Sequence, residues 1–131
     1  MFLMRFDMRA PSFGSASTAE LYACALEMAE WGEQKGCVQL VISEHHGSED
    51  GYLPSPLLLA SAMAARTRTM PIQIAALVLP LHDPIRLAED MAVLDVVSGG
   101  RLSYVLAVGY RSEEYAMFGQ SFPDRGRRME A

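Results

Sequence analysis

Apolar and polar residues follow two alternating periods along this chain. Short β-type runs at Leu3–Met8, Val38–Ser43, Ile72–Leu79 and Leu102–Val108 are separated by longer stretches where apolar residues return every three or four positions. The first long stretch opens on Ser17 and Glu20, an S-x-x-E pattern in which each side chain serves the other's backbone N–H. Leu21, Cys24, Ala25, Met28 and Ala29 then supply one apolar face, and Gly36 ends the helix. Ser55-Pro56 predicts a cap and first-turn proline for a helix over Leu57–Arg66. Asp83-Pro84 repeats that signal before Ile85–Val97, which Gly99-Gly100 stops. A polar segment around Arg111–Gly119 follows the fourth strand, and Asp124–Ala131 reads as the opening of a further helix.

Helical stretches of ten or more residues between the strands are the crossovers that parallel pairing needs. The third and fourth strands are nearly continuous apolar runs, as in a sheet covered on both faces. The fold class expected is therefore α/β with a parallel sheet. The units recur about every 30 to 35 residues, and eight of them would make the ~250 residues of a (β/α)8 TIM-type barrel. Four units then correspond to the first half of such a barrel, with residues 1–131 ending in the helix after strand four. A doubly wound sheet also fits four units. The glycine-rich first turn of a dinucleotide site is missing, since Met8–Ser15 holds a single glycine, Gly14.

Half of the 131 residues are apolar and the formal net charge is −5. Enough apolar surface exists for a core, and no basic face is available for nucleic acid or an anionic membrane. Arginine clusters only at Arg66–Arg68, where a helix end is expected and a cation suits its dipole, and at Arg125–Arg128. The run Leu57–Ala65 is far short of the ~20 residues a bilayer requires. Arg5 and Asp7 interrupt the apolar N-terminus, unlike a signal peptide. Cys24 and Cys37 each fall in an apolar pattern, which predicts two reduced, buried thiols and a cytoplasmic setting. The nine methionines read as core filler.

Chemistry in parallel α/β folds gathers at the C-terminal ends of the strands. The second strand ends in Glu44-His45-His46, the most polar cluster of the chain; the third ends in Pro80-Leu81-His82-Asp83 and the fourth in Gly109-Tyr110-Arg111. Neighbouring side chains on an extended segment point to opposite sides, so one of His45 and His46 at most faces a strand-end pocket. Such a histidine can act as acid or base near neutral pH. The structural alternative is a histidine that braces a loop while Glu44 pairs with an arginine. A metal site built from His45, His46, His82 and Asp83 is disfavoured, because the adjacent histidines diverge and no H-x-H or H-E-x-x-H spacing occurs.

The runs Ile42-Ser43-Glu44-His45-His46-Gly47, Ala75-Ala76-Leu77-Val78-Leu79-Pro80 and His82–Asp90, with Leu94-Asp95, Ser98–Arg101, Val108–Tyr115 and Phe118-Gly119, resemble the luciferase-like monooxygenase family. That resemblance implies a (β/α)8 barrel using reduced flavin, FMN or the deazaflavin F420, for monooxygenation or hydride transfer on a small organic substrate. It implies that His45 is the acid/base group beside flavin and substrate. Ala75 and Ala76 would lie against the isoalloxazine ring, joined in several members by a non-prolyl cis bond, and Val108 and Gly109 would line the same site. Luciferase itself has arginine at the Val108 position, so luminescence is not implied. Family members continue through four more β-α units, which hold most of the flavin phosphate site. The alternative to an oxidoreductase is thus an inactive half-barrel that pairs with further copies, as a homodimer or larger assembly, through exposed sheet edges.

Overall fold

The computed structural model describes residues 1–130. Strand β1 (Phe2–Phe6) leads to helix α1 (Thr18–Gln34), then β2 (Cys37–Ile42), α2 (Pro56–Arg66) and β3 (Ile72–Val78). A 3-10 turn (Leu79–Leu81) precedes α3 (Pro84–Ser98), followed by β4 (Leu102–Ala107) and two short helices, α4 (Ser112–Met117) and α5 (Arg125–Glu130). The segment read as polar after β4 thus contains α4, and α5 begins where a further helix was expected. No described helix is long and apolar enough to cross a membrane.

All four strands pair in parallel and lie in chain order, β1-β2-β3-β4. Crossovers between parallel strands are right-handed, so stepping always to the next neighbour leaves every connecting helix on one face. Packing of α1 on α2 and α2 on α3 agrees with that. A doubly wound sheet would need a reversal of strand order, and none is present among the described residues. The layout is that of the first four units of a (β/α)8 barrel.

The helix-covered face holds the core. Leu40, Ile42, Ile72 and Ile74 are fully buried there, each contributing roughly 1.5–3 kcal/mol. On the other face the register aligns Arg5, Val41, Gln73 and Ser103 across the sheet, all half-buried or exposed. The outer strands leave Leu3, Val105 and Leu106 exposed.

Helix α1 starts with the expected reciprocal cap between Ser17 and Glu20. Its buried seam is Ala25, Ala29 and Gly32, whereas Cys24 and Met28 are exposed. The expected face was rotated by one position. Small residues let the helix lie close to the sheet, and a side chain at Gly32 would collide with Met4. Cys37 is buried and both thiols are free. Met117, on α4, is also exposed, so not every helical methionine fills the core.

Asp83 caps α3 by accepting from the Arg86 amide at 2.9 Å, while Ser55 makes no side-chain bond to α2. Arg66 occupies the last turn of α2 but turns to Glu30. The carbonyls at that end accept from Arg101 instead, which donates to Ala64 O at 2.8 Å, Thr67 O at 3.3 Å and Met70 O at 3.0 Å. Beside it, the Glu33 carboxylate accepts from the amides of Arg68, Thr69 and Met70. Both ties lie at the rim where the strands begin, opposite the candidate chemistry.

Candidate active site

At the C-terminal rim, a cavity of about 290 Å³ is lined by residues of β1, β3 and β4 and by the segments that follow β2 and β4. Its walls include Arg5, Ser43, Glu44, His45, Ala75 and Ala76, together with Tyr52, Ala107, Gly109, Tyr110 and Glu114. His45, Ala75, Ala76 and Gly109, singled out from sequence, therefore meet in one place. Val108 does not join them. The residue is 36% exposed and outside the lining, while its carbonyl accepts from the Tyr115 hydroxyl.

Strand β3 supplies the floor. Ala75 pairs with Val105 and Leu77 with Leu106, so Ala76 has no partner in the ladder and forms a bulge. The Ala75–Ala76 peptide is cis, as the family resemblance implies. Gly109 turns the chain out of β4 with φ +70°, and a Cβ there would come 2.8 Å from Val78 Cγ1. Glycine serves both needs, the left-handed backbone and the close approach.

The extended segment after β2 sends its two histidines apart, as alternation requires. His46 is buried, and its Nε2 lies 2.9 Å from Glu44 Oε1. His82, from the turn after β3, reaches the same oxygen at 2.8 Å, and the Val78 amide donates to Glu44 Oε2 at 2.6 Å. Burial pushes the Glu44 carboxyl up, but hydrogen bonds from His46 and His82, attraction to His82 and the Val78 amide outweigh it and hold it at about 2. Glu44 is thus ionised and accepts only, so both histidines donate from Nε2. It pairs with histidines, not with an arginine.

His45 faces the cavity. Its amide donates to Leu53 O at 3.0 Å, which ties it to the loop, and its ring lies 4.3 Å from that of Tyr52 and 5.8 Å from that of Tyr110. Its Nδ1 lies 2.9 Å from Oε1 of Glu114, a side chain 1% exposed at the start of α4. The His46 amide donates to that oxygen at 3.1 Å, and Arg111 Nη1 lies 3.5 Å away.

Sequence reasoning missed three of these groups. Glu114 sits on α4 within a run read as polar connection, although an acid soon after a strand end is a usable signal. Tyr52 lies in a loop between Gly51 and Pro54 with no pattern to mark it. Arg5 shares the inner face with Leu3 by simple alternation, which the sequence did show.

A profile of the luciferase-like monooxygenase family matches residues 4–130. The 4-hydroxyprotoasukamycin monooxygenase of Streptomyces nodosus subsp. asukaensis is 33% identical over 103 residues, covering 79% of this chain and 28% of that protein. The crystal structure of monooxygenase RslO1 from Streptomyces bottropensis superposes with a TM-score of 0.89 at 27% identity, over 98% of this chain and 39% of the other. The fold is shared as well, at 22% identity and a TM-score of 0.83, by the oxygenating constituent of 3,6-diketocamphane monooxygenase from Pseudomonas putida, solved in complex with FMN. That alignment covers 96% of this chain and 36% of the other. The chain spans about three-tenths of the length of the curated relatives it matches.

Proposed function

The chain belongs to the luciferase-like monooxygenase family, and from that premise we propose that it carries the acid/base and ring-contacting part of a flavin-dependent oxidoreductase acting on a small organic substrate. The observation that carries this reading is the meeting of His45 with a floor of very small residues in one strand-end cavity. Those residues fit a flat ring system. Ala75, Ala76 and Ala107 present nothing larger than methyl groups, and Gly109, packed close to Val78, adds no side chain to the floor. They would hold one face of the ring, and the Val108 backbone would border it. FMN is the form we assign, with F420 as the alternative; the FMN-bound diketocamphane enzyme shares the fold.

A bound reduced flavin would supply two electrons to dioxygen, one oxygen atom of which enters the substrate while the other leaves as water. His45 takes or returns a proton at the ring nitrogen turned to the cavity, and Tyr52 and Tyr110 shield that ring from bulk water. Titration with FMN, followed by quenching of flavin fluorescence, is expected to saturate. Ala76→Leu is expected to weaken binding at least tenfold by filling the floor. In turnover with a panel of ketones and aldehydes, His45→Ala is expected to lower the flavin-dependent rate ~10²–10⁴-fold. Unsaturable quenching, or an undiminished rate in that variant, would overturn the assignment.

A second reading has an observation of its own. Strands β1 and β4 leave their outer edges unpaired among the described residues, with Leu3, Val105 and Leu106 exposed beside them. Such edges favour self-association into dimers or larger assemblies without turnover. Native mass spectrometry with FMN present separates the two: flavin-free multimers support this reading, and flavin-loaded species support the first.

A further inference from the structure

We propose that Glu114 is a positioning residue that fixes His45 as the Nδ1–H tautomer, so that its Nε2 lone pair is what the cavity presents. The inference rests on the acid/base reading of His45 above, but its main test does not involve flavin. The donors around Glu114 carry the argument. Oε1 meets the His46 amide at 3.1 Å and the Arg111 guanidinium at 3.5 Å, and neither group can accept a hydrogen bond. An oxygen placed among donors acts as the acceptor, so the third group at that oxygen, His45 Nδ1 at 2.9 Å, must carry the proton. A neutral imidazole has one N–H, which leaves Nε2 bare. No other described side chain hydrogen-bonds that nitrogen.

The adjacent histidine provides an internal contrast. His46 and His82 both donate from Nε2 to Glu44, so two of the three histidines of this chain hold the opposite tautomer. Imidazole in water has both tautomers accessible, and a carboxylate partner selects one. Sequence neighbours are thereby set to different states by two different acids. His46 and His82 have their Nε2 atoms consumed in the fold, whereas His45 keeps its Nε2 for chemistry.

The arrangement also explains the placement of α4. This helix has only six residues, yet its Glu114 and Tyr115 are both buried. Tyr115 fixes the Val108 carbonyl while Glu114 reaches across to the end of β2. One short element therefore sets the floor at Gly109 and the orientation of His45.

Two-bond ¹⁵N–¹H correlation spectra of the ¹⁵N-histidine-labelled chain at neutral pH test this, with His45→Gln assigning the resonance. The wild-type chain is expected to show one Nδ1–H histidine, His45, and two Nε2–H histidines. Glu114→Gln keeps an acceptor oxygen and is expected to keep the His45 pattern. Glu114→Leu removes it and is expected to move His45 to the Nε2–H form, while the other two signals stay. In the flavin assay the Leu variant is expected to lose about a hundredfold or more in kcat, with FMN affinity changed less than threefold. A wild-type His45 protonated at Nε2 overturns the proposal, as does a His45 signal that Glu114→Leu leaves unchanged. If Glu114→Leu fails to fold, the wild-type and Glu114→Gln spectra still decide the matter. Failure of flavin to bind would count against the proposed function and leave the tautomer result standing.

Discussion

Two buried carboxylates stand side by side at the upper rim, and they use histidine in opposite ways. Glu44 gathers His46, His82 and the Val78 amide from β2, β3 and the turn beyond, spending every one of those donors on holding the strand ends together. Glu114 gathers His45, the His46 amide and Arg111, and leaves one ring nitrogen free beside the cavity. The residue types are the same and burial is the same, 1% exposed for each acid. What separates a structural knot from a reactive group is which nitrogen the acid engages and what the other nitrogen faces.

Removing each acid in turn puts that division under the heaviest load. Glu44→Ala leaves two histidines and a buried amide without their acceptor, and is expected to cost roughly 3–5 kcal/mol in denaturant unfolding. A loss below about 1 kcal/mol would mean that Glu44 holds nothing together. Acid provides a subtler form of the same cut. The Glu44 carboxyl lies near 2 in the fold against 4.5 in the unfolded reference. Its share of stability, roughly 3 kcal/mol, is complete above about pH 4.5 and lost as pH falls toward 2. Unfolding curves between pH 6 and 2.5 are expected to show that loss, and Glu44→Gln to flatten it. Glu114→Leu strands one buried amide and is expected to cost about 1–3 kcal/mol, less than Glu44→Ala. Equal costs would erase the comparison. His45→Ala marks the mild end, with a stability change within about 1 kcal/mol although the flavin-dependent rate collapses.

The sheet, the crossover helices and the strand ends were readable because they rest on local signals, namely period-2 and period-3.6 apolar spacing and cap residues such as Ser17 and Asp83. The same signals misled where packing depended on size. Ala25, Ala29 and Gly32 face the sheet because they are small, and apolar spacing alone could not rank them above Cys24 and Met28. His45, Ala75, Ala76 and Gly109 were found through strand ends and family resemblance, and the fold brings them together. The partner of His45 was not legible, since Glu114 lies 69 positions away and meets it only after β4 and α4 are in place. Val108 differs from these residues. It sits between Ala107 and Gly109, just past β4, with its side chain outside the cavity lining and its carbonyl held by Tyr115.

The ties at the opposite rim have a consequence for how such a protein can change over time. Glu33 and Arg101 hold the starts of β3 and β4 through backbone atoms, so their grip does not depend on which side chains occupy the loops above. Substitutions around Tyr52 or Tyr110 can then alter what the cavity admits while the lower rim retains its geometry. Inheritance can therefore try out new loop side chains around the cavity, while drift at the carboxylate ties, Glu33 below and Glu44 above, is punished by unfolding.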